Sequence, residues 1–133
     1  MTRINVVPVS NLPDKFLMAE YREITRVYRL VWKQQLSNKT PKIPDSYRLG
    51  TGHVTFFYDK LLFINKRYLE LTKELYERNF NISPIGIDIL ILGLDSKWFN
   101  DYTPTTEAIA INQERLDIRS VEIFLRNKSK REL

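Results

Sequence analysis

The 133-residue chain has no cysteine and a single histidine, His53. Without thiols there is no disulfide, no cysteine nucleophile and no thiolate-bound zinc or iron–sulfur cluster. One histidine makes a histidine-rich metal site and a Ser-His-Asp triad poor readings, so no metal is expected. No apolar run approaches the ~20 residues that a membrane-spanning helix requires, and no signal-peptide pattern opens the chain. These absences leave a small soluble protein, expected in the cytoplasm and not secreted.

Hydrophobic residues make up 43% of the chain and charged residues 28%, an ordinary globular mix. A domain of this size buries roughly 65–70% of its unfolded surface, so residues 1–133 are expected to form a single domain around one core. The net charge of +5 is unevenly spread. Residues 1–48 hold nine of the 21 bases and four of the 16 acids, leaving twelve of each in the remainder. The excess therefore sits in the first third, which points to a polyanionic partner, nucleic acid before membrane, unless it is a solvated charged surface.

Residues 1–13 read as an irregular arm, broken by Pro8 and Pro13, with Asp14 placed to cap a helix at its end. That first helix is expected from about Asp14 to Leu36, where Leu17, Tyr21, Ile24, Tyr28 and Val31 form one apolar stripe. Residues 37–52 read as a connecting loop. A second helix is expected from about Thr55 to Asn79, with Phe57, Leu61, Ile64, Tyr68, Leu71 and Leu75 in register. The apolar run Ile85 to Leu94 carries Gly86 and Gly93 and reads as a buried loop or short helix. A third helix is expected from about Thr105 to Arg126, lined by Ala108, Ile111, Ile118, Val121 and Leu125. The fold expected is all-α, a compact domain of three main helices with an extended N-terminal arm.

The first helix carries a basic ridge. Arg22, Arg26, Arg29 and Lys33 recur at i, i+4, i+7 and i+11, and their mutual repulsion would be relieved by a phosphate backbone. Glu23 lies among them. Its spacing to Arg26 allows a surface ion pair worth a few tenths of a kcal/mol; the functional alternative is a carboxylate held in a positive field for proton transfer. Thr2 is a small residue of the kind that permits removal of the initiator Met1, which would leave its α-amine as the terminus. An α-amine titrates near ~8, about two units below lysine, so a useful fraction is a neutral nucleophile at pH 7.

Several segments resemble a known family. Met1-Thr2-Arg3-Ile4-Asn5, Leu17-Met18-Ala19-Glu20-Tyr21-Arg22-Glu23 and Arg26-Val27 look like the opening blocks of the phage endonuclease V-type pyrimidine-dimer DNA glycosylases. Gly52-His53-Val54-Thr55-Phe56-Phe57-Tyr58-Asp59-Lys60 is similar to a second signature. Asp101-Tyr102, Pro104, Ala108, Ala110 and the spacing of Gln113, Arg115, Leu116 and Asp117 resemble a third. The resemblance implies a DNA repair enzyme acting on damaged duplex DNA in a bacterial or phage-infected cell, a monomer without a cofactor. Its implied chemistry is attack of the N-terminal amine on C1′, an imine intermediate and β-elimination, a glycosylase with abasic-site lyase activity. Thr2 matches the nucleophile and Glu23 the catalytic carboxylate. Arg3, Arg22 and Arg26 match DNA-contacting arginines, Arg115 matches a basic position on the last helix, and Arg119 stands where the family has lysine. Independently, Arg115 interrupts the apolar stripe between Ile111 and Ile118, so its charge is expected to reach a protein acid or a DNA phosphate.

Two departures bear on the lesion. Phe16 stands where a relative has histidine, and Arg126 to Arg131 stand in place of an aromatic C-terminal segment that contributes dimer binding. Base–aromatic stacking is worth ~1–3 kcal/mol, so a lyase or glycosylase for another damaged base is the alternative, and an inactive DNA-binding module a third reading. Trp32 and Trp98 both read as core residues, His53 as a structural hydrogen-bonding group, and Gly50-Thr51-Gly52 as a turn before the second helix. Tyr58, Tyr68 and Tyr76 read as amphipathic packing.

Overall fold

The structure, a computed structural model, describes residues 2–132. The expectation about Met1 lies outside the described residues. The element order is α1 (Asp14–Ile24), α2 (Arg26–Leu36), α3 (Leu61–Glu77), α4 (Ile87–Leu90) and α5 (Thr106–Glu132), with 3-10 turns at Val9–Asn11, Thr55–Phe57 and Ser96–Trp98. No strand occurs among the described residues, and the fold is all-α as expected. No helix is long and apolar enough to cross a membrane.

Four boundaries differ from the sequence expectation. The first helix is interrupted once, at Thr25, whose backbone stays right-handed at φ −66° and ψ −17°. Asp14 does not cap it. Pro13 precedes the helix, and the Asp14 carboxylate instead accepts from Arg78 Nη1 at 2.9 Å. The second helix begins at Leu61 rather than Thr55, because Gly50 (φ 71°) and Gly52 (φ 89°) open a run of turns that continues through Thr55–Phe57. The third runs on to Glu132.

The core gathers residues from the arm and the helices. Leu17 and Ile24 of α1, Val27 and Val31 of α2, and Ile64, Leu71 and Leu75 of α3 are fully buried with Phe56 and Phe57. Burying such a side chain contributes roughly 1.5–3 kcal/mol. α1 packs against α3, and the rings of Tyr21 and Tyr68 stack across that contact at 5.8 Å.

Two apolar stretches join the core only in part. In α5 the buried positions are Ala108, Asn112 and Leu116, while Ile111, Ile118, Val121 and Leu125 are exposed by 39–57%. The Ile85 to Leu94 run forms the expected short helix, α4, and packs Ile87, Leu90, Ile91 and Leu94 half-buried against the core, while Ile85, Ile89 and Leu92 are exposed. Trp32 also faces solvent at 45% exposure, whereas Trp98 is buried and donates its indole N–H to Gln35. Of the three tyrosines, Tyr68 is buried, Tyr58 half-buried and Tyr76 exposed.

The arm is the least regular part of the core and the most tightly held. Ile4, Asn5, Val6 and Val7 are all buried. A chain without ladder or helix bonds must find side-chain partners for its amides and carbonyls. Asn112 Oδ1 accepts from the Val6 and Val7 N–H groups at 2.7 and 3.1 Å, and its Nδ2 donates to Asn5 Oδ1 at 2.8 Å. Asn5 Nδ2 donates to Glu20 Oε1 at 2.9 Å. Arg67 holds Glu20 through Nε and Nη2 and donates from Nη1 to the Val7 carbonyl. The Glu20–Arg67 pair is almost wholly shielded from water.

Removing one partner of such a pair strands a buried charge and costs about 3–5 kcal/mol. Glu20→Ala is therefore expected to lower the melting temperature by on the order of 10 °C. A loss in denaturant unfolding below about 1 kcal/mol would show that the pair is not what fixes the arm.

Candidate active site

Beyond Asn5 and its bond to Glu20, the arm meets the second half of α1 at a further point, Arg3. The Arg3 backbone N–H donates to Glu23 Oε1 at 3.0 Å. That amide nitrogen is bonded to the Thr2 carbonyl carbon, so two carbons separate it from the nitrogen of Thr2. The Glu23–Arg26 ion pair allowed by the spacing does not form among the described residues. Glu23 is half-buried, turned toward the arm instead.

Two cavities flank this point. One, of about 310 Å³, is lined by Arg3, Glu23, Arg115 and Arg119 together with Phe16 and Ile123. The other, of about 490 Å³, is lined by Thr2, Arg3, Arg115 and His53 among others. Arg3 of the arm and Arg115 of α5 border both. Thr2, Arg3, Glu23, Arg115 and Arg119 thus converge from three separate parts of the chain. Arg22 and Arg26 border neither cavity. They lie exposed beside Glu23 in sequence, and with Arg29 and Lys33 they make no ion pair among the described residues.

The electrostatics are lopsided. Burial lowers the proton affinity of the Arg3 guanidinium, the neighbouring Arg115 lowers it further, and Glu23 partly restores it. Arg115 makes no hydrogen bond or ion pair among the described residues, and Arg119 pairs only with Glu122, at 3.2 Å. Arg115 reaches this site because it flanks the inward line of Asn112 and Leu116, not because it interrupts an apolar stripe, which is itself exposed. Among the described residues no group of three or more His, Asp or Glu side chains is placed to hold a metal ion.

A half-buried carboxylate on α1 facing the arm, a cluster of arginines and an unpaired basic ridge together suit a phosphate-rich substrate. The family model for pyrimidine dimer DNA glycosylases matches residues 1–87, about two-thirds of the chain. The chain belongs to that family. Its members act on DNA, and the matched segment contains Thr2, Arg3, Arg22, Glu23 and Arg26, whereas Arg115 and Arg119 lie beyond it on α5.

Sequence reasoning missed the residues that build this candidate site from behind. Asn5, Glu20 and Asn112 fix the arm, yet none belongs to a basic patch or an apolar stripe. A signal existed in α5, where Asn112 sits midway between Ala108 and Leu116 at four-residue spacing. His53 was legible as a hydrogen-bonding group, and its ring does bond twice.

Like charges gathered beside a half-buried arginine oppose folding while they serve binding. Arg115→Gln is expected to raise the melting temperature at low salt by a degree or more and to weaken duplex binding. The gain should shrink in ~0.5 M salt, where the Debye length falls to roughly 4–5 Å. A lower melting temperature at both salt concentrations would mean that Arg115 is a structural residue.

Proposed function

We propose that the chain removes a base from pyrimidine-dimer-containing duplex DNA and then cuts the strand, using the Thr2 α-amine exposed by loss of Met1. The observation that carries this reading is the 3.0 Å hydrogen bond from the Arg3 amide to Glu23, which ties the carboxylate to the residue next to the nucleophile. The neutral amine attacks C1′, and the glycosidic C–N bond breaks with its electrons leaving on the base. The C1′–O4′ bond of the sugar ring then opens, its electrons leaving on O4′, which takes up a proton, and loss of a proton from the amine nitrogen gives an imine at C1′. The imine acidifies C2′–H. Glu23 takes that proton, and β-elimination expels the 3′ phosphate. Arg3, Arg115 and Arg119 hold phosphates around the amine and carboxylate, and Arg22 and Arg26 extend the contact along the backbone. Reaching C1′ inside a duplex means kinking the DNA and turning a base out of the stack, at a few kcal/mol. The active species is a monomer, and its working place is the cytoplasm.

A second reading keeps the amine and changes the lesion. Phe16 lines the cavity beside Glu23, and the exposed end of α5 carries Arg126, Lys128, Lys130 and Arg131 in place of aromatic side chains. That surface grips any phosphate backbone and has little with which to stack on a dimer.

Borohydride trapping of the Met-processed protein on duplexes with a thymine dimer or an abasic site separates these readings. Trapping on both is expected; trapping on the abasic duplex alone selects the second reading. Capture on neither removes the amine from the mechanism. Glu23→Gln is expected to bind damaged duplex and lose strand cleavage, and unchanged cleavage would exclude the carboxylate. Arg26→Ala should weaken binding and reduce the salt slope by about one, a result that an unchanged slope contradicts.

A further inference from the structure

The arm is held a second time, closer to its reactive end. Ile4 is two residues from Thr2 and fully buried, and both of its backbone polar groups are taken by the 47–53 loop. Its N–H donates to His53 Nε2 at 2.9 Å, and its carbonyl accepts from the Tyr47 hydroxyl at 3.2 Å. The two rings meet edge to face at 5.4 Å, so each fixes the other.

The protonation state of His53 is set by its partners. An amide N–H only donates, so Nε2 must carry a lone pair; the proton sits on Nδ1, which donates to the Arg48 carbonyl at 2.8 Å. The imidazole is neutral in this arrangement. A second proton on Nε2 would set two donors against each other at a buried site. Burial disfavours the imidazolium, Arg3 on the arm adds to that, and the Arg48 carbonyl and Glu20 on α1 oppose it. Tyr47 faces the ring from its own loop, and Arg115 of α5 borders the same cavity.

We propose that His53, braced by Tyr47, is a positioning residue: it clamps Ile4 and so holds the Thr2 amine beside Glu23 only while its imidazole is neutral. The inference rests on the amine mechanism above for its catalytic half, and on geometry alone for the clamp. Because the folded imidazole binds its proton less readily than a free one, the clamp is intact near neutrality and is released only at a pH below the ordinary imidazole range. The amine itself becomes more nucleophilic toward pH 8. Both ionisations therefore push activity in the same direction, and their effects multiply.

The test has two readouts on the full chain. Amide exchange at Ile4, measured by NMR without DNA and corrected for intrinsic exchange, reads the clamp with no chemistry involved. Single-turnover borohydride trapping on an abasic duplex from pH 5 to 9 reads the amine. In the wild type, the logarithm of the trapping rate is expected to fall with slope one below pH 8 and to steepen toward two at acid pH. His53→Gln supplies an acceptor that does not titrate. It should trap within about threefold of wild type at pH 7.5 and keep slope one throughout. His53→Ala should lose Ile4 protection and slow trapping about tenfold or more, with duplex affinity within about twofold. Unchanged Ile4 protection in His53→Ala, or the same slope in wild type and His53→Gln, overturns the positioning role. No trapping by wild-type protein whose Ile4 protection still depends on His53 overturns the amine mechanism and leaves the clamp standing.

Discussion

The placement of residues 2–7 depends on one buried ion pair, Glu20 with Arg67. Glu20 Oε1 is shared between Arg67 Nη2 and Asn5 Nδ2, both at 2.9 Å, while Arg67 also reaches the Val7 carbonyl. An apolar replacement of similar volume would fill the space, and such swaps are often neutral for stability. It would leave the Asn5 amide and the Val7 carbonyl with no partner in a region closed to water. The pair therefore serves to specify a path for an irregular strand of chain through the core, where helix packing alone would leave it undirected.

Around that fixed arm the protein tolerates charges it does not neutralise. Four cations on α1 and α2 face solvent without ion pairs among the described residues, and Arg115 stands next to Arg3 at the arm. Some surface cations are paired, as with Lys66 and Asp101 at 2.6 Å or Arg78 between Asp14 and Glu74. The unpaired ridge accords with membership in a family whose substrate is a polyanion.

Periodicity located the helical stretches because the apolar stripes of α1, α2 and α3 do face the core; Leu17, Ile24, Val31, Ile64 and Leu71 are all buried. On α5 it placed the helix but misread the buried face, because that helix reaches past the body it packs on. Its outer apolar residues repeat with helical spacing yet meet nothing, while its inner line is Ala108, Asn112 and Leu116. The candidate site was legible in part through blocks of resemblance, with Thr2, Arg3 and Glu23 close together in the fold. The bonds that hold them there run between residues as far apart as Val6 and Asn112. No local pattern contains that information, since the donors are backbone amides that nearly every residue possesses.

The depth of the arm sets a short leash on its own end. Ile4 is buried and bonded on both sides of its backbone, and residue 2 is the next but one before it. Two residues of extended chain span about 7 Å, so the Thr2 nitrogen can explore only a small sphere around its anchor. A reactive group on a long loop can search for its target; one on this tether cannot. If Thr2 supplies the nucleophile as proposed, whatever distortion brings the two reacting atoms within bonding distance is made almost entirely by the nucleic acid, which bends to a point that the protein keeps still.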